Sequence, residues 1–90
     1  MKKTLLYQVT VLGNSHDYVI SKSGDIYVDS FPYFMQLRYN KEKKRHEVIS
    51  TFYLESGKLL IDGSLLFCLA FIKGSVLSSL LTMELTFSND

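Results

Sequence analysis

The sequence predicts a β-rich α+β fold: a small antiparallel sheet of about five to six short strands with one helix near residues 64–73. Three observations carry this. Alanine, the best intrinsic helix former, occurs once, at Ala70, so local propensity leans toward strand. Turn-forming clusters punctuate the chain at Gly13-Asn14-Ser15, Ser23-Gly24-Asp25, Asn40 to Lys44, Ser56-Gly57, Asp62-Gly63 and Lys73-Gly74-Ser75, close enough together to leave room only for short elements. Helical periodicity is clear in a single window, at Leu65, Leu69, Ile72 and Val76.

The elements follow in chain order. Thr4 to Leu12 reads as a strand with Leu5, Tyr7, Val9 and Val11 on one face and Gln8 and Thr10 on the other. Tyr18 to Ser21 and Ile26 to Asp29 form the clearest hairpin, because β-branched and aromatic residues flank a glycine that reaches positive φ without steric cost. Tyr33 to Asn40 alternates like a strand, and His46 to Leu54 resumes a β-like run after the charged Lys41 to Arg45 turn. A helix starting near Ser30, with Pro32 in its first turn, competes for the same stretch. The helix that begins after Asp62 or Ser64 is expected to stop at Lys73-Gly74, where a cation meets the terminal carbonyls and glycine turns left-handed. Beyond it, Leu81, Met83, Leu85 and Phe87 alternate with Thr82, Glu84, Thr86 and Ser88, the pattern of a half-buried strand.

Composition bounds the rest. Ninety residues make one globular domain, 1–90, and Leu, Ile, Val and Phe supply 31 of them at a net charge of +1, far from the signature of disorder. Residues 59–87 carry only Asp62, Lys73 and Glu84 as charges, so this segment is expected to turn inward and form much of the core. Lys2 and Lys3 ahead of an apolar stretch hint at a secretory leader, but Gln8 and Thr10 interrupt that stretch and no small-residue cleavage site follows. Ser64 to Met83 has the length of a membrane span. Its ten strongly apolar side chains are worth about −3 to −6 kcal/mol, however, and a central lysine costs about 2.5 to 3.5, so a buried segment rather than a span is expected. One cysteine excludes an internal disulfide and points to a cytoplasmic protein.

Chemistry is sparse. Cys68 lies in Leu-Leu-Phe-Cys-Leu-Ala-Phe, surroundings that suit packing rather than nucleophilic attack. His16-Asp17 lies in a predicted turn, whereas His46-Glu47 opens a strand, where neighbours point to opposite faces and make a poor dyad. No ligand spacing supports a metal site, and the scattered glycines form no phosphate loop, so neither a cofactor nor enzymatic activity is expected.

The unusual feature is the basic turn in a tyrosine-bearing half of the chain: residues 1–45 hold eight basic and four acidic side chains, residues 46–90 two and five. Tyr33, Arg38, Tyr39, Lys41, Lys43, Lys44 and Arg45 are the expected partner-binding residues of a small regulator or inhibitor that covers another protein's surface. The same cations and rings would alternatively serve a single-stranded nucleic acid, and a membrane-associated small protein is a third reading. An exposed stripe of Ser75, Ser78 and Ser79 beside Leu77, Leu80 and Leu81 would predict self-association into a homo-oligomer.

Overall fold

The computed structural model describes residues 4–87. Six strands, β1 (Leu5–Val11), β2 (Asn14–Ile20), β3 (Asp25–Val28), β4 (Phe31–Asn40), β5 (Arg45–Ser50) and β6 (Leu59–Gly63), precede one helix, α1 (Leu65–Phe87). The sheet order is β1-β2-β3-β4-β5-β6 with every neighbouring pair antiparallel, so each strand lies beside the one before it. This is the α+β architecture that the turn spacing predicts, and Pro32 sits within a strand rather than in a helix.

Backbone geometry at the turns sets the register. Leu12-Gly13 and Asp29-Ser30 each join two strands with both residues at positive φ, the handedness that matches the twist of a two-residue hairpin. Leu12 is a poor occupant, since a Cβ is crowded at its φ of 48°. Gly24 is indispensable for a different reason. Its carbonyl accepts the Leu37 N–H at 2.9 Å, and a Cβ on it would sit 1.9 Å from the Leu37 carbonyl oxygen.

Alternation then sorts the side chains. Val11, Tyr18, Ile20, Ile26 and Val48 point from the sheet toward α1, which answers with Cys68, Ile72, Val76 and Leu80, a row spaced by four residues. Leu5, Tyr7, Val9 and Leu37 flank that core, so the odd-numbered face of β1 packs inward as its sequence pattern requires. Helix contacts fall mainly on β1, β5 and β6, which means the sheet curls until its first and last strands both reach α1.

Three sequence expectations are corrected. The helix does not stop at Lys73-Gly74, and residues 81–87 are its last turns instead of a strand; Ser88 lies outside the described residues, as do Lys2 and Lys3. A mid-helix glycine costs only about 1 kcal/mol relative to alanine, whereas continuing the helix buries Val76 and Leu80 at about 1.5–3 kcal/mol each. The hydroxyls of Thr82 and Thr86 donate back to the Ser78 and Thr82 carbonyls, satisfying themselves within the helix. β5 ends at Ser50 rather than Leu54, and residues 51–58 form a loop closed by the Gly57 N–H on the Ser50 carbonyl. Finally, the apolar C-terminal segment is only half committed to the core. Its sheet-facing row is buried, but Leu66 is 78 % exposed, and Phe67, Leu81 and Leu85 are also exposed.

Candidate functional site

Of the residues expected to bind a partner, the structure gathers some and separates others. The turn between β4 and β5 holds Lys41, Lys43 and Lys44 together, all exposed, in a loop shaped by the Asn40 side-chain oxygen, which accepts the Glu42 and Lys43 N–H groups. Arg38 and Arg45 flank the turn on the sheet face away from the helix, where each has a carboxylate. Arg38 Nε donates to Glu47 Oε1 at 2.8 Å, and Arg45 Nη1 stands 3.3 Å from Asp62. The hydrogen bond from Arg38, with a second from Asn40, holds the Glu47 carboxyl below its usual range despite its near-complete enclosure.

The two tyrosines occupy the opposite, helix-facing side of β4. Tyr39 is exposed, with its ring centroid 5.0 Å from that of His46. Tyr33 instead belongs to the helix packing. It is half-buried, its hydroxyl donates to the Ser75 carbonyl at 2.9 Å, and it lies 2.6 Å from Ser79 Oγ. Tyr33 therefore helps to hold α1, and the single surface expected from Tyr33, Arg38, Tyr39 and the basic turn is not assembled.

Sequence reasoning missed three groupings. The first is the outer row of α1. Leu66, Ala70, Gly74, Leu77, Leu81 and Leu85 follow three-to-four spacing on a side of the helix separate from its buried row; all but Leu77, which packs partly against the core, are exposed. Beside this row, a shallow groove of about 560 Å³ between β4 and α1 is lined by Tyr33, Met35, Phe71, Gly74, Ser75 and Ser78. A Cβ placed on Gly74 meets nothing within 4 Å, so the helix backbone itself is open to an approaching surface. By length and composition, residues 65–86 also suffice to cross a bilayer. A crossing would require Cys68, Ile72, Val76 and Leu80 to leave the sheet.

The second grouping ties the far end of α1 to the first hairpin. His16 Nδ1 lies 2.6 Å from Asp29 Oδ2, the Asn14 side-chain amide donates to Glu84, and Glu84 Oε1 stands 3.9 Å from His16 Nε2. His16 and Asp17 lie within β2 rather than in the expected turn, because they continue the ladder with Val9 and Gln8 of β1, and His16 pairs with Asp29 rather than with its neighbour Asp17. Burial pushes the Asp29 carboxyl up, but hydrogen bonds from His16 and the Asp17 N–H outweigh it and leave the group below its usual range. No sequence signal marks a triad drawn from β2, a turn and the helix.

The third is an aromatic cluster at the same end. Phe34 meets Phe52 edge-on at 5.5 Å, Phe52 touches Tyr53 at 4.9 Å, and Phe31, Phe34 and Tyr53 are exposed. Phe34 adopts a φ of 32°, and its carbonyl accepts the Thr51 N–H. Cys68 is fully enclosed, and burial pushes its thiol pKa up, the wrong direction for a nucleophile. Among the described residues, no three His, Cys, Asp or Glu side chains gather as a metal ion would need.

Fold and surfaces together define an antiparallel meander covered on one face by a single helix with two apolar rows, one packed and one open. No family model matches the chain, and neither a curated protein nor a solved structure matches it.

Proposed function

We propose that the protein is a non-enzymatic binding module, a regulator or inhibitor that acts by covering a partner protein, and that its contact surface is the outer row of α1. The observation that carries this reading is the exposure of Leu66, Leu81 and Leu85 on a helix whose opposite row is already packed. A helix apolar on all sides is normally enclosed on all sides. Here the sheet encloses one side, and a partner supplies the other.

The occupant best matched to the row is an apolar helix of the partner. Three-to-four spacing presents the ridges that a second helix packs against, and Ala70 and Gly74 at its centre permit close backbone approach. Lys73, Ser78 and Thr82 interrupt the surroundings with groups that suit a protein interface better than acyl chains.

Gly74→Leu tests the proposal cleanly. A Cβ at Gly74 meets nothing within 4 Å, the position is exposed, and leucine favours the helix, so the fold is retained while the approach is blocked. A protein captured from the native cells by the wild-type chain, identified by mass spectrometry and reconstituted from purified components should bind at least about tenfold more weakly to the variant, a loss of about 1.4 kcal/mol. Unchanged affinity would remove the outer row from the interface. A concentration-dependent dimer that Gly74→Leu dissolves would instead assign the row to a second copy of the chain.

A further inference from the structure

The antiparallel register brings three separate stretches to one end of the molecule. Leu5 pairs with Ile20, Asn40 with Arg45 and His46 with Gly63, so the β2–β3 turn, the β4–β5 turn and the start of α1 share that end. Two adjacent depressions record the meeting. One, of about 300 Å³, joins Lys22 to Tyr39 and Leu65; the other, of about 360 Å³, joins Lys43, Lys44 and Tyr39 to Ser64.

Charge and apolar surface coincide there. Lys22, Lys41, Lys43 and Lys44 are exposed, and among the described residues none has a carboxylate within ion-pair distance. The nearby acids are largely spoken for: Glu47 by Arg38, Asp62 by Arg45, and Asp25 by hydrogen bonds from Ser23 and Gln36, which leaves Glu42. Directly beside these cations the first turn of α1 exposes Leu65, Leu66 and Phe67. The opposite end carries Asp29, Glu55 and Glu84, with Lys58 paired to Glu55, so the molecule is electrically polar along its strands.

We infer that the end bearing the helix start is a docking surface for an anionic lipid bilayer. Lysines around an aliphatic and aromatic tip are what such a surface selects: the cations meet headgroup phosphates and carboxylates, the tip enters the acyl boundary, and a tyrosine sits at headgroup depth. Leu65, Leu66 and Phe67 decide between lipid and nucleic acid, because phosphodiester strands would neutralise the lysines and leave the apolar turn wet. The two surfaces share only Leu66; the rest of the partner-binding row, from Ala70 to Leu85, lies farther along α1. Docking this way keeps the helix on the sheet, so it requires no crossing.

The test is flotation of the purified full chain with vesicles of phosphatidylcholine alone and of phosphatidylcholine containing about 30 % phosphatidylserine. The chain should rise with the anionic vesicles only. Lys43→Glu with Lys44→Glu should reduce the bound fraction about tenfold or more, and raised salt should weaken binding of the wild type. Leu66→Ser alone, at the most exposed position of the helix start, should reduce binding while leaving the far-ultraviolet circular dichroism unchanged. Gly74→Leu should float like the wild type, which separates this surface from the partner-binding row. Failure to float with anionic vesicles, indifference to Leu66→Ser, or binding of a single-stranded oligonucleotide in place of vesicles would each overturn the inference.

Discussion

Replacing Ile72 by alanine examines the claim that one row of side chains holds α1 in place. Ile72 is fully enclosed at the centre of the row Cys68, Ile72, Val76 and Leu80. Truncation removes three buried carbons, worth about 2.4 kcal/mol at about 0.8 each. The cavity left between a curled sheet and a helix cannot close fully, which raises the expected cost toward the upper part of the roughly 2–5 kcal/mol range. A ninety-residue domain has roughly 5–13 kcal/mol in total, so the loss is a large fraction of the stability. With a urea slope of about 1–3 kcal/mol per molar, a loss of about 4 kcal/mol should lower the midpoint by roughly 1–4 M in a titration followed by circular dichroism and tyrosine fluorescence. Leu66→Ala, on the open side of the same helix, should stay within about 0.5 kcal/mol of the wild type. Equal shifts for the two variants would refute the one-row account, because they would mean that the outer side of α1 is as enclosed as the inner side.

Further outcomes follow from the glycines, a strained turn and the paired acids. Gly74→Ala should stabilise by about 0.5–1 kcal/mol, since the position is helical with open space around it, whereas Gly24→Ala should prevent the β3–β4 approach and lower the urea midpoint sharply. Leu12→Asn should raise stability by roughly 0.5–1 kcal/mol by relieving the left-handed backbone of a branched residue in the first hairpin, read from the same titration. Glu47 and Asp29 have folded-state pKa values below their unfolded ones, so the stability they contribute is complete above the ordinary carboxylate range and is lost as pH falls through the folded values. Urea midpoints measured from neutral to acid pH should therefore fall on the acid side, and Glu47→Gln should flatten part of that fall; an unchanged acid limb would show that Glu47 is not linked to folding.

How far the fold could be read from sequence depended on whether local and tertiary preferences agreed. In β1, β3 and the Tyr18–Ile20 half of β2, alternation, β-branched residues and turn chemistry point the same way, so these strands, the Gly24 turn and the inward face of β1 were legible; the polar first half of β2, Asn14 to Asp17, reads locally as a turn and is strand only through its pairing with β1. At Lys73-Gly74 they conflict. The local pattern is a helix end, but Val76 and Leu80 lie on the continuing row and their burial overrides the glycine. Leu81, Met83 and Leu85 alternate like a strand only because the outward side of the helix is also apolar, and a helix with two apolar sides lets the two periods be confused. For the candidate site, the basic turn was visible as a charge run. That Tyr33 would be consumed by α1, and that Lys22 would join Lys43 and Lys44 beside Leu65, depended on strand register and helix length, which no local signal encodes.

Because all six strands precede α1 in the chain, the sheet leaves the ribosome before the element that covers it. At about 5–20 residues per second, synthesis of residues 65–80 occupies roughly one to three seconds, far longer than a hairpin takes to close. During that interval Tyr18, Ile20, Ile26 and Val48 of the nascent chain are bare. Translation thus opens a brief window in which a holdase chaperone competes with the protein's own helix for the same greasy floor.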